Sequence, residues 1–134
     1  MQLVDTHVVS ELCRRAPDTG VIDWASTQAR IALSVITVEE IAFGLARRPN
    51  DVLRAWFERL LERHEVLPVT PAIAQRAGTM RGAFAAGGVA RTQADMLIAA
   101  TALLHQLPLV TRKLRDFDGC GVPLLNPFAA DRHR

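Results

Sequence analysis

The sequence has few cysteines, no tyrosine and no long hydrophobic run, and these scarcities narrow what the chain can be. Its two cysteines, Cys13 and Cys120, are too few for a disulfide scaffold and lack a C-x-x-C spacing. No apolar run approaches the roughly 20 residues that cross a bilayer. The first residues also lack the basic and apolar regions of a signal peptide. We therefore expect a cytoplasmic protein with no membrane segment.

Lysine is almost absent as well, because Lys113 is the only lysine among sixteen basic residues. Arginine suits bidentate contacts with phosphate, but the formal net charge is only +2. Charge alone therefore does not identify a nucleic-acid-binding protein. The 134 residues are 49% hydrophobic and 22% charged, which is typical of one globular domain spanning residues 1–134.

Short apolar runs alternate with amphipathic segments along the chain. We expect helices over residues 6–14, 51–63, 71–84 and 95–105, a short helix around residues 21–25, and one that Thr37 caps and that ends before Pro49. The expected strands are Leu3–Val4, Ile31–Ile36, Val66–Val69, Leu109–Thr111 and Val122–Leu125. This alternation predicts a three-layer α/β/α fold with a mainly parallel central sheet of four to five short strands.

Four acids lie where ligands gather in such a fold, outside the carboxyl ends of the strands. Asp5 follows the first strand, Glu40 lies one helical turn past the second, and Asp116 follows the fourth. Asp95 is in the first turn of the helix before the fourth strand. Clustered carboxylates raise one another's pKa and need a cation among them. Magnesium takes oxygen ligands of this kind, and phosphodiester hydrolysis is the natural reaction of such a site.

Each acid taken alone also has a purely structural interpretation. Glu40 follows Thr37, and Asp95 follows Thr92, with the spacing of a capping box. Asp5 stands where a helix N-cap is expected. Carboxylate position by itself is therefore a weak indication of a metal site.

Five segments resemble the motifs of one known family. Residues 3–12, LVDTHVVSEL, are similar to that family's LLDTNVLSEL, and residues 34–44, SVITVEEIAFG, to its SAITVAELRYG. Residues 95–102, DMLIAATA, resemble DALIAATA, residues 111–117, TRKLRDF, resemble TRNVRDF, and residues 125–128, LNPF, resemble LNPW. Because all five occur in the right order and spacing, the chain is identified as resembling the PIN-domain ribonucleases of the VapC toxin family, in the FitB-like branch.

The resemblance implies a PIN-like fold and an endoribonuclease that depends on Mg²⁺, with Mn²⁺ as a substitute. Asp5 and Asp95 would be the main metal ligands, and Glu40 would bind the metal through water or orient the attacking water. Asp116 is the remaining fourth acid. The expected role is that of the toxin in a type II toxin–antitoxin pair of the VapBC type.

The resemblance also implies partners. These are an RNA substrate, a VapB-type antitoxin whose tail lies in a groove beside the acids, and a second copy of the chain in a homodimer. The sequence shows no helix-turn-helix signal, so operator DNA is expected to bind only through the antitoxin.

Two positions depart from the family's usual residues. His7 stands where asparagine is most common, and it suits either a hydrogen bond to Asp5 or a phosphate, or no role. Lys113 stands where relatives carry aspartate or asparagine, so one possible ligand is replaced by a cation. It suits either contact with the scissile phosphate or a position in solvent, and we favour solvent.

Three neighbours of these residues complete the candidate set as possible substrate contacts or supporting residues, namely Thr6, Thr111 and Arg112. The Thr111 hydroxyl either holds water or phosphate or stabilises its turn. Arg112 either contacts the RNA backbone or lies in a solvated loop.

Two other functions fit the same fold. A catalytically weakened module would bind RNA or an antitoxin without turnover, because of His7 and Lys113. A phosphoacceptor receiver domain is also α/β with clustered acids, but the order of the acids here matches the PIN motifs instead.

Overall fold

The centre of the fold is a sheet of five short strands, seen in a computed structural model that describes residues 1–132. The strands are β1 (Leu3–Val4), β2 (Ala32–Ser34), β3 (Glu65–Leu67), β4 (Leu109–Val110) and β5 (Leu124–Leu125). They lie in the order β3-β2-β1-β4-β5, and every pair of neighbours is parallel. The expected mainly parallel sheet is thus confirmed.

Helices cover both faces of this sheet. They are α1 (Thr6–Leu12), α2 (Thr19–Ser26), α3 (Val35–Arg47), α4 (Asp51–Arg63), α5 (Pro71–Ala86) and α6 (Gln93–His105). Short 3-10 turns follow at Leu114–Phe117 and Ala129–Asp131. Across residues 1–132, none of the helices has both the length and the apolar character that a bilayer span requires.

The two faces of the sheet bury different residues, because successive side chains of a strand point to opposite sides. Leu3 and Leu109 pack into a core with residues of α5 and α6. Val4 and Val110 pack into a second core with residues of α1 and α2, against which Trp56 of α4 also lies. Both faces are therefore covered, which gives the three-layer α/β/α architecture that the sequence pattern predicts.

The beginning of α3 differs from the expectation. The predicted strand over residues 31–36 ends at Ser34, whose side chain accepts a hydrogen bond from the Ile36 amide at 3.0 Å. Ser34, and not Thr37, is therefore the N-cap of α3. The cap overrides the strand preference of the β-branched residues after it. Thr37 lies in the first turn of the helix and is fully buried.

Other element ends shift by a few residues. The third strand is Glu65–Leu67 rather than residues 66–69, because Pro68 has no N–H to donate to the ladder. The fourth and fifth strands are shorter than expected, ending at Val110 and starting at Leu124. Helix α1 stops two residues early, at Leu12, and α5 continues to Ala86.

The strand order reverses at β1. The chain builds β2 and β3 on one side of β1, then crosses to place β4 and β5 on the other side. The Asp5 amide donates to the Val110 carbonyl at 2.9 Å, which holds the carboxyl ends of β1 and β4 together. In open parallel sheets, the crevice at such a reversal is where ligands bind. The topology therefore directs attention to the residues that follow β1 and β4.

The segment after β5 is held against α2 by Asp18. Its carboxylate accepts from two N–H groups at the start of α2 and from the amides of Ala129 and Ala130. Burial by itself raises the pKa of Asp18, but these backbone donors outweigh it and the pKa is lowered. The approach is close because Gly20 has no side chain, since a Cβ there would lie 2.3 Å from the Pro127 carbonyl oxygen.

We predict that Gly20→Ala destabilises the protein by about 1–3 kcal/mol, because backbone atoms of the docked segment must move to admit the methyl group. Gly78→Ala is the control, because nothing lies within 4 Å of a Cβ at that helical position. It should stabilise the fold by about 0.5–1 kcal/mol. Urea unfolding of both variants measures this, and equal effects would contradict the close approach.

Candidate active site

Asp5 lies at the carboxyl end of β1 and is only 1% exposed. Its Oδ1 accepts a hydrogen bond from the Thr6 amide at 2.8 Å, so Asp5 also caps α1. Its Oδ2 accepts from the Thr111 hydroxyl at 2.8 Å. Burial raises the pKa of Asp5, the nearby charge of Lys113 and these two hydrogen bonds oppose that rise, and the charge of Asp95 adds to it.

Asp95 faces the same crevice from the first turn of α6. Helix α6 begins there because the Thr92 side chain accepts from the Asp95 amide at 3.1 Å. Of the two hydrogen bonds of a capping box, only this one forms among the described residues. The Asp95 carboxylate, which would make the other, accepts from Lys113 instead. The distance from Lys113 Nζ to Asp95 Oδ1 is 2.8 Å. The structure therefore brings two of the candidate acids, Asp5 and Asp95, to one place.

Lys113 does not extend into solvent, so our expectation for this residue is wrong. Its side chain is 27% exposed and that of Asp95 is 10% exposed. Burial by itself lowers the pKa of Lys113, but the hydrogen bond to Asp95 and the charges of Asp5, Asp95 and Asp116 outweigh it and the pKa is raised. The ammonium group is therefore charged and balances part of the negative charge around it.

Thr111 fixes both ends of this arrangement. Its hydroxyl donates to Asp5 and accepts from the Lys113 amide at 3.0 Å. The residue is 0% exposed, so its hydroxyl supports the acid and the turn and has no surface from which to contact a phosphate.

Glu40 adjoins the site through a chain of hydroxyl groups. Thr6 Oγ1 donates to Glu40 Oε1 at 2.7 Å and lies 2.9 Å from Thr37 Oγ1. Because a hydroxyl has one proton, Thr37 must be the donor to Thr6. This relay connects the start of α1 to the second turn of α3 and fixes the orientation of Glu40. Thr37 is the residue whose role sequence reasoning missed, since its partner is 31 positions away in the chain.

The remaining candidates lie at the rim. Asp116 is exposed on the 3-10 turn after β4, where its charge acts on Lys113. His7 is exposed on α1 and has no hydrogen bond to Asp5 among the contacts of residues 1–132.

Arg112 is exposed, and among the contacts of residues 1–132 it pairs with Asp131 and not with Asp5 or Asp95. Its guanidinium group makes two hydrogen bonds to Asp131, at 2.9 and 3.1 Å, and lies 4.4 Å from the centre of the Phe128 ring. Asn126 donates to the same carboxylate at 3.0 Å. Arg112 therefore joins the turn after β4 to the segment after β5.

The donor set suits a hard divalent cation that keeps much of its water. Asp5 and Asp95 supply carboxylate oxygens with unused lone pairs, and two carboxylates are enough for Mg²⁺. Within residues 1–132 no three acids, histidines or cysteines are arranged to hold a metal together, and the ammonium group of Lys113 lies against one of the two acids.

We predict that Thr111→Val destabilises the protein by about 1–3 kcal/mol, because a buried carboxylate oxygen of Asp5 loses its hydroxyl donor at nearly constant side-chain volume. Thr111→Ser keeps the hydroxyl and should cost only about 1 kcal/mol, for one buried methyl group. Chemical denaturation in EDTA compares them. If the serine variant proved the less stable of the two, the hydrogen bond to Asp5 would not be a main stabilising contact.

Comparison with known proteins finds relatives along nearly the whole chain. The profile of the PIN domain family matches residues 3–118, a range that includes all four candidate acids. VapC ribonuclease Y4jK of Sinorhizobium fredii is 38% identical to the chain, over 96% of this chain and 98% of its own length. Toxin FitB of Neisseria gonorrhoeae is 31% identical, over 96% of this chain and 99% of its own.

The same likeness holds in three dimensions. In the structure of FitAB bound to the IR36 DNA fragment, a chain with 30% identity superposes with a TM-score of 0.85 over 100% of both chains. Sequence and fold agree: the chain belongs to the PIN-domain family, in the group of the VapC and FitB toxins.

Proposed function

We propose that this protein is a metal-dependent endoribonuclease that acts as the toxin of a VapBC-type toxin–antitoxin pair. The observation that carries the proposal is the convergence of Asp5 and Asp95 where the strand order reverses, with Asp5 almost fully buried. Burying a carboxylate is costly unless a cation is present, and a bound metal ion would supply that positive charge. Similarity to a VapC ribonuclease supports RNA as the substrate class.

Asp5 and Asp95 would hold Mg²⁺, with Mn²⁺ as a substitute. When bound, the ion supplies a Lewis acid for a phosphoryl oxygen and for water. The protein contributes fixed orientation. Asp5 keeps its direction through the Thr6 amide and the Thr111 hydroxyl.

Glu40 orients the attacking water in this proposal. The relay from Thr37 through Thr6 fixes one carboxylate oxygen, and the other is left to accept a proton from water. Asp116 at the rim is the fourth acid in the proposal. Because it is exposed, we place it on the substrate side of the crevice and not beside the buried pair, Asp5 and Asp95.

A second candidate is supported by one specific observation. The ion pair between Lys113 and Asp95 occupies a carboxylate oxygen that a metal would use. A catalytically weakened module that binds RNA or an antitoxin without turnover would keep this pair permanently. The two candidates differ in whether the purified protein cleaves RNA.

Substrate form follows from general features of RNA. A-form duplexes hide their base edges in a narrow major groove, so side chains read single strands and loops more easily. We propose that the substrate is an exposed single-stranded segment.

An antitoxin would occupy the apolar groove between α1, α3 and α4, which has a volume of about 260 Å³. The residues that line the groove include Thr6 and Glu40 of the candidate site, together with Trp56 and Phe57 of α4. A helix laid in it would reach the candidate site, which is helix-in-groove recognition. The relative FitAB binds a DNA fragment as a complex, which supports DNA binding through the antitoxin. The homodimer stays a prediction.

We predict that the purified protein cuts RNA into discrete fragments with Mg²⁺ or Mn²⁺ and not with EDTA. Asp95→Asn should lower the rate by about 100-fold or more, because a metal ligand is weakened. Glu62→Gln, an exposed acid on α4, is the control and should cut like the parent. Gel analysis of a total-RNA pool measures the rates. A folded, partner-free sample that cuts no RNA with either metal would favour the binding module.

For the groove, we predict that Gly44→Phe weakens antitoxin binding by more than about tenfold, because the ring fills the space that the partner's apolar side chains need. Nothing lies within 4 Å of a Cβ at Gly44 or at Gly78, so Gly78→Phe on α5 is the matched control. Products of the flanking genes, each co-expressed with the tagged chain, supply the candidate partners. Equal binding by both variants would place the partner elsewhere.

A further inference from the structure

The single lysine of the sequence lies at the centre of the candidate site. Lys113 Nζ is 2.8 Å from Asp95 Oδ1, and its charge also acts on Asp5. Among the contacts of residues 1–132, no other cationic side chain forms an ion pair or hydrogen bond with either acid. Lys113 therefore offsets part of the negative charge that these two acids carry when ionised.

The ammonium group is held from a fixed backbone. The Lys113 amide donates to the buried Thr111 hydroxyl at 3.0 Å. The 3-10 turn that follows is fastened by Arg91, which donates to the carbonyls of Arg115 and Asp118, both at 2.8 Å. Arg91 also lies 4.3 Å from the centre of the Phe84 ring.

The end of the lysine side chain also lies against an aromatic ring. Its Nζ lies 5.7 Å from the centre of the buried Phe117 ring, a distance at which an aromatic face attracts a cation. Lys113 is thus built into the site.

We propose that the Lys113 ammonium group is a resident counter-ion of Asp5 and Asp95, which a divalent cation must displace in order to bind. This inference rests on the proposed metal-dependent function. A divalent ion placed between the same acids would lie beside the ammonium group, and two cations in a site of low dielectric repel strongly. Lys113 therefore weakens metal binding, and it also allows the acids to remain buried without metal.

Removing the charge should reverse both effects. In Lys113→Met, the two buried acids repel each other without compensation, so the folded state should be less stable in EDTA and should regain stability with Mg²⁺ or Mn²⁺. The affinity for Mn²⁺ should rise by about tenfold or more, the size of effect that neighbours of metal ligands have. Lys113→Gln, which is neutral but keeps an N–H donor for Asp95, should lie between the parent and the methionine variant.

The test measures Mn²⁺ binding by electron paramagnetic resonance, and thermal unfolding in EDTA and in Mn²⁺, for the parent and both Lys113 variants. Arg115→Met is the control, because it removes a cation from the same turn that forms no ion pair in the described residues; it should leave Mn²⁺ affinity and EDTA stability unchanged. If Lys113→Met folds only with Mn²⁺, that result also supports the inference. The Mn²⁺ affinity without the lysine charge is then measured on Lys113→Gln.

Adding Asp95→Asn separates the two proposals. In the double variant with Lys113→Met, stability in EDTA should recover, because the repulsion between the acids is gone, and Mn²⁺ binding should be lost. If the parent and both Lys113 variants bind Mn²⁺ equally, and Asp95→Asn abolishes that binding, the counter-ion is overturned while the metal site stands. If none of them binds Mn²⁺, the metal-dependent function and the inference resting on it both fail.

Discussion

Burial of the Asp5 carboxylate at the end of the central strand is the constraint on which the rest of the site depends. A carboxylate that is 1% exposed must receive hydrogen bonds and a compensating charge from its surroundings. The Thr6 amide and the Thr111 hydroxyl supply the hydrogen bonds, and Lys113 supplies charge. Each of these groups is positioned by a strand end or a helix end beside β1. The topology of the sheet therefore decides which charges and hydrogen-bond donors surround Asp5.

The turn after β4 distributes three consecutive side chains to three tasks. Thr111 points inward and supports Asp5, Arg112 pairs with Asp131 and secures the segment after β5, and Lys113 pairs with Asp95. The two cations among these three residues, Arg112 and Lys113, are therefore paired in the described structure. A substrate phosphate would have to compete with a carboxylate for each of them. These two positive charges are therefore already neutralised by ion pairs and do not form an open cationic surface.

The apolar groove and the acidic crevice share Glu40 and Thr6. A partner that fills the groove therefore touches the same hydroxyl relay that orients Glu40. Binding of such a partner and the chemistry of the site are linked by contact, without any change in the fold. The arrangement is consistent with a toxin whose activity is held silent by a protein bound beside its acids.

The sequence by itself determined the class of fold and the approximate elements, and it marked the four candidate acids. Strand and helix patterns depend on local spacing, and Asp5 and Asp95 are marked by motifs within a few residues of them. Glu40 was marked in the same way, although the capping residue of its helix was misplaced. These features can be read from a sequence because each is decided by neighbours along the chain.

Only the tertiary structure decided which of these groups meet. Thr37 contacts Thr6 across 31 positions and Lys113 contacts Asp95 across 18. No local spacing predicts such a pair. Lys113 was expected in solvent, but two buried acids on different elements make a position against them the more favourable one. The reason is that the energy of a charge depends on every charge near it in space, and the order of strands in the sheet decides which charges are near.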